Sequence, residues 1–214
     1  QPAAGDAGGA LGAALWAWHA VLGNPRGPAM TRTDIGRETP SETTREILDD
    51  LGARYADMGD EAPERAGDDL ADGKVIGWMN GRCEWGPRAL GYRSILADPR
   101  KPETRDAVNV RVKYREPFRP FAPSVVSESA ATYFEIPAAA AAPSRFMLTA
   151  GGVKEGARAE LGAVTHVDGT ARVQVVDAAS SPAYHRLISR FGEHTGVPVV
   201  LNTSFNLKGE PVVS

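Results

Sequence analysis

Cysteine is almost missing from this chain of 214 residues: Cys83 stands alone, and only four histidines accompany it. A single thiol excludes an intrachain disulfide framework and any metal site built from several cysteines. Two readings of Cys83 stand, a nucleophile with His166 as a distant base or a small packed side chain, and nothing near it in sequence marks it for activation. Aromatic residues make up 7% of the chain, which leaves few platforms for stacking bases. The formal net charge of −3 has the wrong sign for a general nucleic-acid binder. No apolar run approaches bilayer-spanning length, and the opening QPAAGDAGGALGAALW lacks the basic region of a secretory signal. Neither membrane nor nucleic acid is expected as a partner, and the cytoplasm is the expected compartment.

What the chain does have is a local excess of cations. From Gly81 to Ser124 ten Lys/Arg stand against five Asp/Glu, while the remainder holds fourteen basic and twenty-two acidic residues. These cations sit among Gly, Pro and aromatic residues, not along a solvated helix. Stiff backbone with converging Arg and Lys is what holds phosphate or carboxylate groups. Charge alone favours the plainer reading, a basic face that makes surface ion pairs.

Periodicity divides the chain into a small leading part and an α/β part that begins near residue 70. A helix is expected over 5–22, with Leu11, Ala14, Leu15, Trp18 and Leu22 on one stripe. A linker follows over 23–40, then two short helices over 41–72, the first capped by Ser41. Strands are expected over 74–79, 121–126 and 145–150, a helix over 104–114, and a flexible Ala-rich loop over 137–143. Residues 165–176 alternate around Asp168-Gly169, a hairpin pattern. Ser181-Pro182 opens a helix with Tyr184, Leu187, Ile188 and Phe191 on one face and Gly196 as its stop. The apolar run 197–201 reads as a buried strand. Residues 211–214 read as the middle of a strand, so a fragment of a longer protein is expected.

Four segments present cations or amides on a constrained backbone. Gly86-Pro87-Arg88-Ala89-Leu90-Gly91 pushes Arg88 outward, with Arg93 close behind. In Lys113-Tyr114-Arg115-Glu116-Pro117-Phe118-Arg119-Pro120 two prolines fix φ among three cations. Period-two spacing puts Lys113 and Arg115 on one strand face, and at least one of these cations is assigned to scaffolding. His166 and Arg172 flank the Asp168-Gly169 turn. Asn202-Thr203-Ser204-Phe205-Asn206 follows a buried strand, where α/β folds collect ligands. Taken singly, His166 reads as a hydrogen-bonded structural histidine and 202–206 as an Asn/Ser turn. Together the four segments favour an anion site.

In order, GRxExGPRALGxRSILADPR, VKxREPFRPFAPS, THVDGTARVQ and GVPVxLNTSFNxxGEP resemble the C-terminal domain of the O-carbamoyltransferases of antibiotic and nodulation-factor biosynthesis. The resemblance implies a YrdC-like twisted mixed α/β sheet with flanking helices over 71–214, a linker with short helices over 23–70, and a remnant of a kinase-like domain over 1–22. It implies formation of carbamoyl-adenylate from carbamoyl phosphate and ATP, with Mg²⁺ accompanying the nucleotide, for transfer to a hydroxyl-bearing acceptor. By motif it places Arg88, Lys113, Arg119, Arg172 and Ser204 in catalysis, and Arg93, Arg115, His166, Asn202 and Asn206 in substrate and nucleotide binding. Lys113-x-Arg115 and Ser204-x-Asn206 echo the YrdC signatures. Asp6 matches a family aspartate that binds iron with two histidines of an earlier helix, and this chain has no such H-x-x-x-H pair, so iron or another divalent metal is expected only in the full-length protein. Read alone, Asp6 is a helix N-cap. Three positions depart from the family pattern: Cys83, Trp85 and Tyr92, the last beside Arg93. Two rival functions are a threonylcarbamoyl-adenylate synthase of tRNA modification and a noncatalytic module that binds nucleotide or RNA.

Overall fold

The computed structural model describes residues 2–3 and 5–212. Its centre is a five-stranded mixed sheet. The strands are β1 (Ile76–Met79), β2 (Arg93–Ala97), β3 (Ala122–Val126), β7 (Gln174–Val176) and β8 (Val199–Ser204), in the order β1-β2-β8-β3-β7. Every pairing is antiparallel except β3 with β7. A smaller antiparallel sheet contains β4 (Phe134–Glu135), β5 (Gly151–Val153) and β6 (Thr170–Ala171).

Alternation along the strands feeds two cores on opposite faces of the large sheet. Val125, Val199, Leu201 and Ala97 join the small sheet's Phe134 and Val153 in one core. Leu96, Val126, Val176 and Val200 join Leu70, Tyr184, Leu187, Ile188 and Phe191 in the other. This second core lies under α3 (Ala62–Ala71) and α7 (Pro182–Thr195). The α7 stripe expected from its i, i+3, i+4, i+7 spacing is fully buried, each side chain contributing roughly 2 kcal/mol. Pro182 starts the helix, and Gly196, at φ 76°, ends it with its N–H on Gly192 O at 2.8 Å. The expected mixed sheet with flanking helices is the observed fold.

Several local expectations are corrected. Residues 6–21 are helical, as a 3-10 turn, α1 (Gly9–Trp16) and a π turn, but the apolar stripe is not a core face. No residue of α1 is buried, and Leu15, Trp16, Trp18 and Leu22 are exposed. Asp6 is the first residue of the 3-10 turn and not its cap, which is Gly5. In α2 (Ser41–Asp50) the capping position is Pro40, and Ser41 makes no cap bond. Residues 138–144 are helical, including α6 (Ala141–Ser144), and the strand lies further on, at β5. The Asp168-Gly169 turn forms, with His166 N–H on Thr170 O at 2.8 Å, yet its arms do not form a hairpin. Instead β6 pairs with β5 and β7 joins the large sheet beside β3. Pro211 and Val212 lie in no strand, and the last two residues of that expected strand lie outside the described residues. Among the described residues no helix is long and apolar enough to cross a membrane.

Candidate anion site

Lys113 is not on a strand. The helix α4 (Pro102–Ala107) continues as a wider π turn over Val108–Val112, and Lys113 ends it in helical conformation. Tyr114 then takes φ 47°, which reverses the chain. The alternation that suggested a shared strand face for Lys113 and Arg115 thus belongs to a helix end. Helix, turn and β8 converge here. Lys113 is 7% exposed, and its Nζ donates to Ser204 O at 2.5 Å, Asn206 O at 2.9 Å and Asn206 Oδ1 at 3.0 Å, with Ser204 Oγ at 3.3 Å. Ser204 Oγ also donates to Asn206 Oδ1 at 2.6 Å. The Lys-x-Arg and Ser-x-Asn pairs, 91 residues apart, therefore form one constellation. It lines a cavity of about 500 Å³ together with Arg115, Arg119 and Lys208.

Arg115 is oriented by two contacts. Its Nε donates to Asn109 Oδ1 at 2.6 Å, and its guanidinium lies 4.7 Å from the Phe121 ring centroid, a cation–π contact. Asn109 is fully buried, and its Nδ2 donates to the carbonyls of Pro117 at 3.0 Å and Arg119 at 2.9 Å. One side chain therefore holds the whole REPFR turn. The sequence reading missed it, although a polar residue beside Val108 in a helix was an available signal. Arg119 is exposed and pairs with Glu116 at 3.1 Å.

Burial, and then the Arg115 charge, bring the Lys113 ammonium down from near 10.5 to about 8. The charged form is the one that attracts an anion, so anion affinity is expected to fall as pH rises through about 8. The effect on stability has the opposite sign. Between about 8 and 10.5 the unfolded chain binds more protons than the native one, so the fold gains stability with rising pH. Denaturant midpoints measured across that window should rise for the unaltered protein and rise less for Lys113→Met.

A second group forms where the GPRALG loop meets the segment after the Asp168-Gly169 turn. Arg172 is half-buried, its Nε is shielded from solvent, and that atom has no acceptor. Burial and then the charge of Arg88 lower its pKa. Arg88 is also partly buried, and among the described residues neither arginine makes a hydrogen bond or ion pair. His166 lies in the same field. Burial lowers its pKa, Asp168 opposes this and Arg172 adds to it, and Nδ1 sits 3.2 Å from Thr170 Oγ1. Among the described residues these two guanidiniums, in each other's field and without acceptors, present the kind of donor that binds anions.

The remaining expected residues are placed differently. Arg93 is 1% exposed, its Nη1 donates to the carbonyls of Asn80, Gly81 and Tyr92 at 3.2, 3.1 and 2.9 Å, and its buried Nε and Nη2 have no partner among the described residues. Asn202, 2% exposed, directs Nδ2 to Ala89 O at 3.0 Å, Ser124 Oγ at 3.1 Å and Gln174 Oε1 at 3.0 Å. It ties the Arg88 loop to the strand that ends in Ser204. Asp6 is exposed, and among the described residues no group of three or more His, Cys, Asp or Glu is placed to hold a metal. Cys83 is partly buried, with its N–H on Arg37 O at 2.9 Å and its carbonyl accepting Gly36 N–H at 2.9 Å. The linker thus lies along the 83–85 segment.

Residues 67–214 match the family model described as carbamoyltransferase C-terminus. Nodulation protein NolNO of Sinorhizobium fredii is 45% identical over 233 residues, covering all of this chain and 32% of that protein. The 3'-hydroxymethylcephem-O-carbamoyltransferase of Amycolatopsis lactamdurans is 38% identical over 217 residues, again covering all of this chain and 38% of that protein. The chain therefore spans about a third of the length of these relatives. Among solved structures, HypF of T. kodakarensis superposes with a TM-score of 0.51 at 17% identity, covering 75% of this chain and 19% of that one. That likeness concerns the fold alone.

Proposed function

Since the chain belongs to the carbamoyltransferase family, matching the model of its C-terminus, we propose that it is the part of an O-carbamoyltransferase that makes carbamoyl-adenylate. One observation carries the reading: Arg172 and Arg88, in each other's field and without acceptors, fit an anionic substrate such as carbamoyl phosphate. Lys113, Ser204 and Asn206, on the cavity of about 500 Å³, supply the neighbouring cation and neutral donors that a nucleotide phosphate needs. Atom balance sets the reaction: carbamoyl phosphate, ATP and water give carbamoyl-adenylate, pyrophosphate and inorganic phosphate. Water releases inorganic phosphate from carbamoyl phosphate and leaves carbamate, whose oxygen attacks the α-phosphorus of ATP and breaks its link to the β-phosphoryl group, so that pyrophosphate departs. Arg and Lys neutralise the charge that accumulates on the transferring phosphoryl group, and no protein nucleophile is required. Mg²⁺ would arrive with ATP on its phosphate oxygens.

The carbamoyl group then passes to a hydroxyl of a natural product, at a site supplied by the additional length of the full protein. The relative named for a hydroxymethylcephem supports an acceptor of that chemical kind. Iron or another divalent metal would serve that second step; Asp6 matches its ligand set by motif alone, and among the described residues no group of three or more His, Cys, Asp or Glu is placed to hold it.

Carbamoyl phosphate-dependent exchange of labelled pyrophosphate into ATP tests the proposal. Arg88→Ala is expected to slow exchange about a hundredfold or more, and Ser204→Ala about tenfold. Unchanged exchange in both variants would remove the assignment. Exchange driven by threonine and bicarbonate instead would identify the tRNA-modifying chemistry. Salt-sensitive RNA binding without exchange would identify a binding module.

A further inference from the structure

Immediately after Arg88, five main-chain groups in succession are held by side chains from separate parts of the fold. Ala89 O accepts from Asn202 Nδ2 at 3.0 Å, and Leu90 N–H donates to Glu84 Oε1 at 3.0 Å. Leu90 O accepts from Gln174 Nε2 at 2.8 Å. Gly91 N–H donates to Ser94 Oγ at 3.1 Å, and Gly91 O accepts from Trp78 Nε1 at 2.8 Å. Ala89, Leu90 and Gly91 are buried, so water cannot satisfy these groups and the five side chains take its place. It leaves Arg88 as the free end of an immobilised segment.

Gln174 occupies a particular place in this set. It is buried, and its Oε1 accepts from Ser124 Oγ at 2.7 Å and Asn202 Nδ2 at 3.0 Å, which orients its amide. Gln174 follows Arg172 by two residues, just as Leu90 follows Arg88. The Gln174–Leu90 bond therefore links the two arginine-bearing segments beside their charged ends. Two like charges without counter-ions would separate if their segments were free. We propose that Gln174, with Glu84 bracing the opposite side of the loop, is a positioning residue that holds Arg88 and Arg172 at the spacing of one shared anion. Glu84 closes the loop by accepting N–H from both Leu90 and Arg93, the latter at 3.3 Å. The inference rests on reading Arg88 and Arg172 as the holders of a phosphate-type group.

The test is a double-mutant cycle on the whole chain, with inorganic phosphate as the calorimetric probe. Gln174→Met is expected to weaken phosphate binding by about tenfold to a hundredfold. Once Arg88→Ala is present, Gln174→Met should add little, because its effect travels through Arg88. Additive losses, or an unchanged affinity in Gln174→Met, would overturn the positioning role. If Gln174→Met does not fold, Gln174→Glu replaces it. That variant keeps an oxygen facing Ser124 and Asn202, and on ionisation it loses the donor to Leu90 O and gains a negative charge. Its affinity, relative to the unaltered protein, has to fall with rising pH as the new carboxyl ionises, and a constant ratio would overturn the proposal. Absence of phosphate binding in the unaltered protein would sink this inference and the functional reading together. Phosphate binding that depends on Gln174, without pyrophosphate exchange, would remove only the functional reading.

Discussion

Lys113→Ala is expected to lower carbamoyl phosphate-dependent pyrophosphate exchange by about a hundredfold to a thousandfold, the range seen when one preorganised electrostatic group is removed. Four oxygens surround the ammonium: two carbonyls, an amide oxygen and a hydroxyl from the end of β8. Alanine would remove the cation and leave the buried ones among them without a donor, so Ser204 and Asn206 would lose their common anchor. Lys113→Arg should not restore the rate, because a planar fork cannot replace a point charge at which these oxygens converge. Exchange assays on both variants, paired with melting curves, separate chemistry from folding. Full exchange in Lys113→Ala would exclude this constellation from the reaction.

Gly91→Ala should be the most disruptive small substitution in the chain. Gly91 sits at φ 97°, and an added Cβ would lie 2.2 Å from Tyr184 Cδ1. Tyr184 is fully buried at the centre of the α7 core and has no room to withdraw. The left-handed backbone costs about 1–2 kcal/mol for alanine, and overpacking adds about 1–3 kcal/mol. At this chain length the Tm should fall by roughly 4–20 °C. Gly81→Ala is the control: it has φ 51° but nothing within 4 Å of the added carbon, so only the backbone term remains. Equal melting temperatures for the two variants would show that the Tyr184 contact is relieved by movement.

Legibility in the sequence followed the range of the interactions concerned. The α7 stripe and its Pro182 and Gly196 ends were readable because spacing and capping are local. The Ser204-x-Asn206 and Lys113-x-Arg115 pairs were readable as motifs, but not the reason they meet. Their meeting depends on a π turn and the reversal at Tyr114, which the period-two spacing of charges disguised as a strand. The hairpin expectation failed for a similar reason. Asp168-Gly169 makes a sound turn, yet the residues after it gain more by pairing with β5 and β3 than with the preceding arm. The stripe on 9–22 failed as a core prediction because apolar spacing says nothing of whether a partner surface is present.

Glu84, Asn109 and Gln174 went unnoticed although each holds part of the site. All three act through main-chain groups 6 to 84 residues away, and such bonds leave no spacing pattern. By itself the sequence determined the family, the helix α7, the run of buried strands and the collection of cations between Gly81 and Ser124. Composition, periodicity and long contiguous motifs are one-dimensional properties, so they survive being read along a line. Only the tertiary structure decided which cations are free and which are occupied. Arg93 is drawn inward, its Nη1 on three carbonyls and its Nε and Nη2 buried without a partner, whereas among the described residues neither Arg88 nor Arg172 makes any side-chain bond, and the two lie in each other's field. The physical reason is that a charge becomes a binding group through what surrounds it, and those surroundings are assembled from strands and loops far apart in the chain.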